Sequence, residues 1–92
     1  MLGRYWQAFA SLVLEAAYEA TMWSAVLNEM RGAPNVVLLT FLGGGAFGND
    51  DEWILSAMRR GFELVLAFDL DARIVCYGAP PRAVLTLVED FA

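Results

Sequence analysis

The sequence predicts a small α/β protein whose elements follow the order α-β-α-β-α, with a short parallel strand pair flanked by helices. Apolar residues recur at three- and four-residue steps over residues 5–31 and 50–68, as they do along one face of a helix. Two shorter, mainly apolar runs at 36–42 and 72–77 predict strands, and helical spacing returns after Pro81. Since a helix separates the strands, we expect a right-handed crossover and parallel strands.

The first helix is expected to be covered on two sides. One line of apolar residues comprises Phe9, Val13, Ala16, Ala20, Trp23, Leu27 and Met30, and the polar stripe opposite comprises Gln7, Ser11, Glu15, Glu19 and Glu29. The remaining face is apolar too, and a helix that is apolar over most of its circumference packs against more than one neighbour. Gly32 suits a C-terminal cap and Pro34 cannot continue the helix, so it should end near residue 31.

The later elements also follow from local pattern. The run 36–42 is continuously apolar rather than alternating, which predicts a strand buried on both faces. Asn49 and Asp50 are suited to cap the second helix, whose first turn would hold Asp51 and Glu52. The predicted buried face of that helix comprises Ile54, Ala57, Met58, Gly61, Val65 and Phe68.

The composition predicts that one copy of this chain does not bury its apolar surface alone. Residues 1–92 form one small domain, or part of a larger one, and a domain of this size buries about two-thirds of its unfolded surface. Hydrophobic residues nevertheless make up 59% of the chain, against roughly 45–50% in average domains even with glycine counted as apolar. We expect either a homo-oligomer, most simply a dimer, or a missing covalent segment that covers the surplus.

Charge and residue types argue against several classes of function. The net charge is −5, and the six basic residues form no stripe that could bind nucleic acid. All six are arginine and histidine is absent, which excludes a Schiff-base lysine, His-based triads and His metal sites. The uncharged stretch 33–49 contains Pro34 and several glycines and cannot form a membrane-spanning helix. We expect a soluble cytoplasmic protein with no cofactor, no metal and no catalytic residues.

Residues 43–48 read Gly-Gly-Gly-Ala-Phe-Gly and match the spacing G-x-G-x-x-G between a strand and a helix. Glycines reach positive φ, allow backbone N–H groups to approach a phosphate, and lead into a helix N-terminus. A dinucleotide site would need an acid at the end of the next strand, which instead ends Cys76-Tyr77-Gly78, and a P-loop would need Gly-Lys-Ser/Thr. The pattern favours another phosphate-binding loop, and the alternative is a tight turn that binds nothing.

The segment 37–49 resembles the second phosphate-binding loop of macrodomains, the ADP-ribose-binding fold. Those loops typically read Ser/Gly-Thr/Cys-Gly-x-Phe-Gly after a buried strand, and the variant Gly-Cys-Gly-Ala-Phe-Gly-Gly-Asp of poly(ADP-ribose) glycohydrolases is similar to residues 43–50. The family's Ala-Tyr-x-Ala sequence in the preceding helix matches residues 17–20. The likeness covers about residues 15–79 and corresponds to the C-terminal half of a macrodomain-like fold. The half that carries the adenine-binding Asp and the paired catalytic Glu has no counterpart here.

This resemblance implies a ligand site built largely from backbone. Gly44 to Gly48 would surround the diphosphate with N–H groups, Phe47 would flank the distal ribose, and Tyr77-Gly78 would lie near the ligand. Gly43 and Gly44 stand where the family usually has Ser-Thr, so a hydroxyl contact is lost. The ligand-binding residues predicted in this way are Gly43, Gly44, Gly45, Ala46, Phe47, Gly48, Asn49, Tyr77 and Gly78.

For the other polar and aromatic residues the structural interpretation is favoured. The acids at 50–52 suit helix capping better than acid catalysis or metal binding. The three tryptophans are expected to pack in the core or an interface rather than to stack on a base. Arg59 and Arg60 are expected on a solvated helix face rather than on a phosphate, and Cys76 as an inert core thiol.

The functional prediction is a macrodomain-like, non-catalytic protein that binds ADP-ribose or a related nucleotide diphosphate through residues 43–49. The alternative is a structural or interaction protein that forms a homo-oligomer. In that case the glycines form only the turn between a strand and a helix.

Overall fold

The computed structural model describes residues 2–41, 50–76 and 78–91. Within them the elements are α1 (Leu2–Met30), β1 (Val36–Leu39), α2 (Asp51–Leu64), β2 (Asp71–Ile74) and α3 (Arg82–Asp90). The two strands pair in parallel. The predicted α/β class and the predicted order of elements are confirmed.

α1 ends in a Schellman motif at the glycine that the sequence indicates. Gly32 has a φ of +86°, a left-handed conformation that side chains with a Cβ rarely adopt. Its N–H donates to the carbonyl oxygen of Glu29 at 3.0 Å, and the N–H of Ala33 donates to that of Asn28 at 2.9 Å. These two hydrogen bonds satisfy carbonyl groups that the end of the helix would otherwise leave unpaired.

α2 begins at the predicted cap and ends earlier than predicted. Asp50 has an extended backbone, and its side chain accepts a hydrogen bond from the N–H of Glu52 at 2.8 Å. The helix stops at Leu64 rather than near Phe68. The predicted buried residues of the helix and its cap are indeed buried, namely Ile54, Ala57, Met58, Gly61 and Val65. Phe68 is exposed because the helix has already ended before it.

The sheet is smaller than predicted and is covered on one face. Each strand has four residues, in a register that runs from Val36 opposite Asp71 to Leu39 opposite Ile74. The prediction that the first strand is buried on both faces is wrong, because Val36 and Leu38 are exposed while Val37 and Leu39 are buried. Successive side chains of a strand point to opposite faces, and the core joins only the face with Val37 and Leu39.

The core lies where α1 packs on α2. Its largest fully buried side chains are Tyr18, Met22, Ile54, Met58 and Leu87. Gly61 allows the two helices to come close, since a Cβ at this position would lie 3.3 Å from Cγ of Met22 and 3.8 Å from Cβ of Tyr18.

The face of α1 that is buried is not the one the sequence indicated. The buried residues of α1 are Ala10, Leu14, Tyr18, Met22, Ala25 and Val26, whereas the predicted line from Phe9 to Met30 is exposed. The apolar line Leu14, Tyr18 and Met22 joins the core with α2, and ion pairs lie at the rim of this contact. A guanidinium nitrogen of Arg60 on α2 lies 2.7 Å from a carboxylate oxygen of Glu19, and a second nitrogen lies 4.0 Å from Glu15. The two acids therefore border the side of α1 that packs on α2, and their side chains remain partly exposed.

α3 follows Pro81 as predicted and packs against α2. Leu87 and Val84 are buried, and the ring of Phe91 meets the ring of Phe62 edge-on at 5.3 Å. The Arg59 guanidinium pairs with Asp90 at 2.8 Å and lies 5.6 Å from the centre of the Phe91 ring. Apolar, cation–π and ionic contacts thus hold the C-terminal helix in place.

Candidate functional site

The predicted ligand-binding loop connects the carboxyl end of β1 to α2. Because the strands are parallel and in register, the segments after Leu39 and Ile74 leave the same edge of the sheet, and the N–H of Val75 still donates to the carbonyl of Leu39 at 2.8 Å. Open α/β sheets bind ligands at this edge. Of the predicted ligand-binding residues, Gly43 to Asn49 and Tyr77 lie outside the described residues, as does Leu42, and their role stays a prediction.

Gly78, the remaining predicted ligand-binding residue, occupies a left-handed conformation. Its φ is +72°, it is exposed, and a Cβ placed on it would have no heavy atom within 4 Å. The backbone conformation, and not lack of space, therefore requires glycine at this position. The chain turns here, after β2, on the side of the sheet where the resemblance places a ligand.

The acids at the start of α2 act as a helix cap. Asp50 accepts the hydrogen bond from Glu52, and Asp51 and Glu52 occupy the first turn, where negative charge is stabilised by the helix dipole. Among the described residues no group of Cys, Asp and Glu is arranged to hold a metal ion. Three carboxylates beside the predicted loop also oppose a bound diphosphate unless they point away from it.

Tyr18 anchors the strand that leads into the loop. Its ring is buried in the core, and its hydroxyl donates a hydrogen bond to the backbone carbonyl of Thr40, the residue after β1. The sequence contains the Ala-Tyr-x-Ala signal at residues 17–20, but the pattern alone does not reveal this contact. The side chain connects α1 directly to the carboxyl edge of the sheet.

The two adjacent arginines are not available for a phosphate. Arg59 pairs with Asp90, and Arg60 pairs with Glu19. The hydrogen bond that Arg60 donates to the Glu19 carboxylate also raises the pKa of Arg60. The prediction of a solvated helix face is right only in part, because both side chains are partly exposed but each connects α2 to another helix.

The three tryptophans pack against other apolar side chains, and the cysteine lies just after the carboxyl end of β2. Trp53 packs against the core, Trp23 meets the ring of Phe68 edge-on at 5.9 Å, and Trp6 lies 6.1 Å from Phe9. Cys76 is only partly buried and follows β2 instead of lying within it, so the prediction of a core thiol in a strand is wrong.

A groove of about 320 Å³ runs along β2, and its lining includes the first and the last residue of that strand, Asp71 and Ile74. The end of α2 and α3 form its other sides, with Phe62, Phe68 and Phe91. Asp71 is the one charged residue among the lining residues described.

An extended line of exposed apolar residues lies on α1. We call it the α1 stripe and define it by Tyr5, Trp6, Phe9, Leu12, Val13, Ala16, Ala20, Trp23, Leu27 and Met30. All ten residues are exposed, and the eight large ones are between 37% (Trp23) and 70% (Met30) exposed. At 3.6 residues per turn the stripe lies on the side of α1 opposite the buried Leu14, Tyr18 and Met22. The acids Glu15, Glu19 and Glu29 lie outside it.

The sequence identified most residues of the α1 stripe but assigned seven of them to a buried face. The signal that could have corrected this is the pair of acids at 15 and 19, which match Arg60 on the next helix. In the described residues no helix is long and apolar enough to span a membrane.

Comparisons with known proteins add no relative to this picture. No protein-family model, curated protein or solved structure matches the chain. The resemblance to macrodomains therefore rests on the residues quoted for it above.

Proposed function

We propose that this chain is a non-catalytic interaction protein that associates with a second copy of itself through the α1 stripe. The observation that carries the proposal is which face of α1 is buried and which is exposed. The helix turns the face with Leu14, Tyr18 and Met22 towards α2 and leaves exposed a face with four aromatic rings, at Tyr5, Trp6, Phe9 and Trp23. An exposed apolar patch of this extent is characteristic of a binding surface.

The size of the α1 stripe is sufficient for a stable interface. Eight large apolar side chains at about half exposure present on the order of 800 Å², since aromatic side chains bury roughly 150–250 Å² each. A standard interface buries about 800 Å² on each partner. At about 25 cal/mol per Å², the gross gain over two copies exceeds the roughly 4–15 kcal/mol that association costs in lost freedom of motion.

The charge of the chain favours a protein partner over a lipid surface. Helices that lie on membranes usually carry lysine and arginine on their polar face. Between Tyr5 and Met30 the charged residues of α1 are all acidic, and the whole chain has a net charge of −5. Anionic lipids would repel this surface, whereas a second copy supplies an equally apolar one.

Sedimentation tests the proposal directly. We expect the native chain to sediment as a dimer of two 10.1 kDa subunits at micromolar concentration. Leu27→Glu should weaken association by about 100-fold or more, because it buries a charge in the contact. Asn28→Glu adds the same charge to an exposed neighbour outside the α1 stripe and should leave association unchanged. A monomer at every concentration would contradict the proposal.

Binding of a nucleotide diphosphate at residues 43–49 is the second candidate function. The parallel register supports it, because the segment after β1 and the left-handed Gly78 after β2 lie at the same edge of the sheet. The ligand implied by the resemblance is ADP-ribose. A cytoplasmic location belongs to the same proposal and is tested by fractionating cells that express the tagged chain.

Calorimetric titration with ADP-ribose tests the second function. We expect a saturable heat from the native chain and its loss in Gly45→Val and Gly48→Val, since a Cβ at either glycine blocks backbone approach to the phosphates. Gly3→Val is the matched control, since its Cβ would meet no heavy atom within 4 Å. Absence of heat from the native chain at millimolar ligand would eliminate this function.

A further inference from the structure

The spacing within the α1 stripe is that of a coiled coil. Its central line consists of Trp6, Phe9, Val13, Ala16, Ala20, Trp23, Leu27 and Met30, separated by alternating steps of three and four residues. Such a seven-residue repeat keeps one seam of a helix facing a partner helix along its length. The repeat continues over more than three heptads of the 29-residue α1.

The side chains along this line are smallest at its middle and larger towards both ends. Ala16 and Ala20 flank residue 18, and larger side chains occupy both ends, with Trp6 and Phe9 on one side and Leu27 and Met30 on the other. Two helices can approach closely where both carry alanine, and they need more separation where both carry tryptophan.

A layer of the seam consists of two residues that face each other, one from each helix. Only one relative orientation of the two helices places side chains of compatible size in every layer. In a parallel pair each residue meets itself, so two adjacent Ala–Ala layers would lie between two Trp–Trp layers. In an antiparallel pair centred on residue 18, Ala16 meets Ala20, Val13 meets Trp23, Phe9 meets Leu27 and Trp6 meets Met30. Each tryptophan then faces a smaller or more flexible side chain.

We propose that two copies pair through α1 in antiparallel orientation about a two-fold axis near Ala16 and Ala20. This inference rests on the self-association proposed above and specifies its geometry. The contact is isologous, so it closes at two copies and does not extend into a filament. The occupant of the α1 stripe is therefore the same stripe of a second chain.

The acid nearest to the proposed axis is already neutralised within each copy. Glu19 lies one residue from the midpoint of the seam, outside the α1 stripe. Its carboxylate is held by the Arg60 guanidinium of its own chain at 2.7 Å. The ion pair thus keeps this negative charge on the side of α1 that packs on α2, away from the seam.

Cysteine cross-linking tests the orientation. In a Cys76→Ser background we would prepare Phe9→Cys and Leu27→Cys, two exposed positions 18 residues apart, or about 27 Å along the helix. A disulfide requires Cα atoms within about 7 Å. We expect a disulfide-linked dimer when the two variants are mixed and oxidised, and only monomers from either variant alone.

Each contrary outcome has a separate meaning. A covalent dimer of Phe9→Cys alone would overturn the antiparallel arrangement in favour of a parallel one. A dimer in sedimentation that gives no cross-link would overturn this seam while leaving self-association intact. A monomer in sedimentation would overturn the proposed function itself, and binding of that monomer to vesicles with anionic lipid would assign the α1 stripe to a membrane surface.

Discussion

At the scale of single residues, Tyr18 shows how one side chain joins two parts of the fold. Its ring fills the space between α1 and α2, beside Met22 and Gly61, and its hydroxyl reaches the carbonyl of Thr40. The aromatic ring contributes buried apolar surface, and the hydroxyl contributes a directional hydrogen bond to the end of the strand. The position of the carboxyl end of β1 therefore depends on a residue of the first helix.

Tyr18→Phe isolates the contribution of that hydroxyl. We expect the free energy of unfolding to fall by about 0.5–1.5 kcal/mol, the usual net contribution of one hydrogen bond. Urea denaturation followed by circular dichroism measures the change. Tyr5→Phe removes a hydroxyl from an exposed residue of α1 and should have no effect. Equal stability of Tyr18→Phe and the native chain would show that the bond contributes nothing.

The Arg73–Asp71 ion pair within β2 predicts that the stability of the fold decreases at acidic pH. The guanidinium of Arg73 donates to the Asp71 carboxylate at 2.7 Å, and this hydrogen bond lowers the pKa of Asp71. A carboxyl group with a lowered pKa in the folded chain contributes stability above its unfolded pKa, and that contribution is lost as the pH falls through the folded value. The loss should begin near pH 4 and continue below it.

Titration of Asp71 by carboxyl NMR measures this effect. In Arg73→Gln the pKa of Asp71 should return towards its ordinary value, while Arg82→Gln, at the start of α3, should leave it unchanged. Identical Asp71 titrations in the native chain and in Arg73→Gln would refute the pairing.

At the scale of elements, the sequence predicted the positions of the helices better than the lengths of the strands or the buried face of α1. The C-terminal end of α1 and the start of α2 follow from local chemistry, namely Gly32 and Asp50, whereas α1 begins at Leu2 rather than at the predicted residue 5. The length of β1 depends instead on how far β2 runs beside it, which is a long-range property. The buried side of α1 depends on its contacts with α2, which lies more than 20 residues further along the chain.

For the two candidate sites as well, the sequence predicted the local pattern but not the long-range packing. The α1 stripe could be read from spacing, but its exposure followed only from the packing of the opposite face. The loop at 43–49 was recognised from its glycines, and its role lies outside what the described residues test. Burial of seven apolar residues was predicted where the fold exposes them, because hydrophobicity alone does not distinguish a core from an interface.

Gly61 provides a test of the contact between α1 and α2. Gly61→Leu should lower the free energy of unfolding by about 1–3 kcal/mol, because a side chain there must displace Met22 and the backbone of α1 around Tyr18. Gly3→Leu is the matched control, since no heavy atom lies within 4 Å of its Cβ position. Chemical denaturation measures both, and equal stability of the two variants would mean that the helices are not in close contact at Gly61.

At the scale of the whole molecule, α1 sets the shape. The described chain extends over 46 × 27 × 21 Å, and a 29-residue helix is about 43 Å long, so α1 runs along the entire long axis. A surface carried by this helix is therefore available over the full length of the molecule. The antiparallel pair places the narrowest part of that surface at its centre.

Ala20→Leu should separate the two copies without unfolding either. The added volume lies at the closest approach of the helices, and we expect the dissociation constant to rise by about 5- to 150-fold, the range that corresponds to 1–3 kcal/mol of overpacking. Ala83→Leu adds the same volume to an exposed position of α3 and should not change it. A tighter dimer in Ala20→Leu would exclude alanine contact at the axis.

The open face of the sheet bears on the solubility of the chain. Val36 and Leu38 are exposed on β1, and in the described residues the sheet has only two strands, so no further strand covers its edges. Such edges are templates for aggregation. Arg73 lies opposite Leu38 in the register and pairs with Asp71. This ion pair places charge on the same face of the sheet as Val36 and Leu38, where charge opposes the association of two exposed sheets.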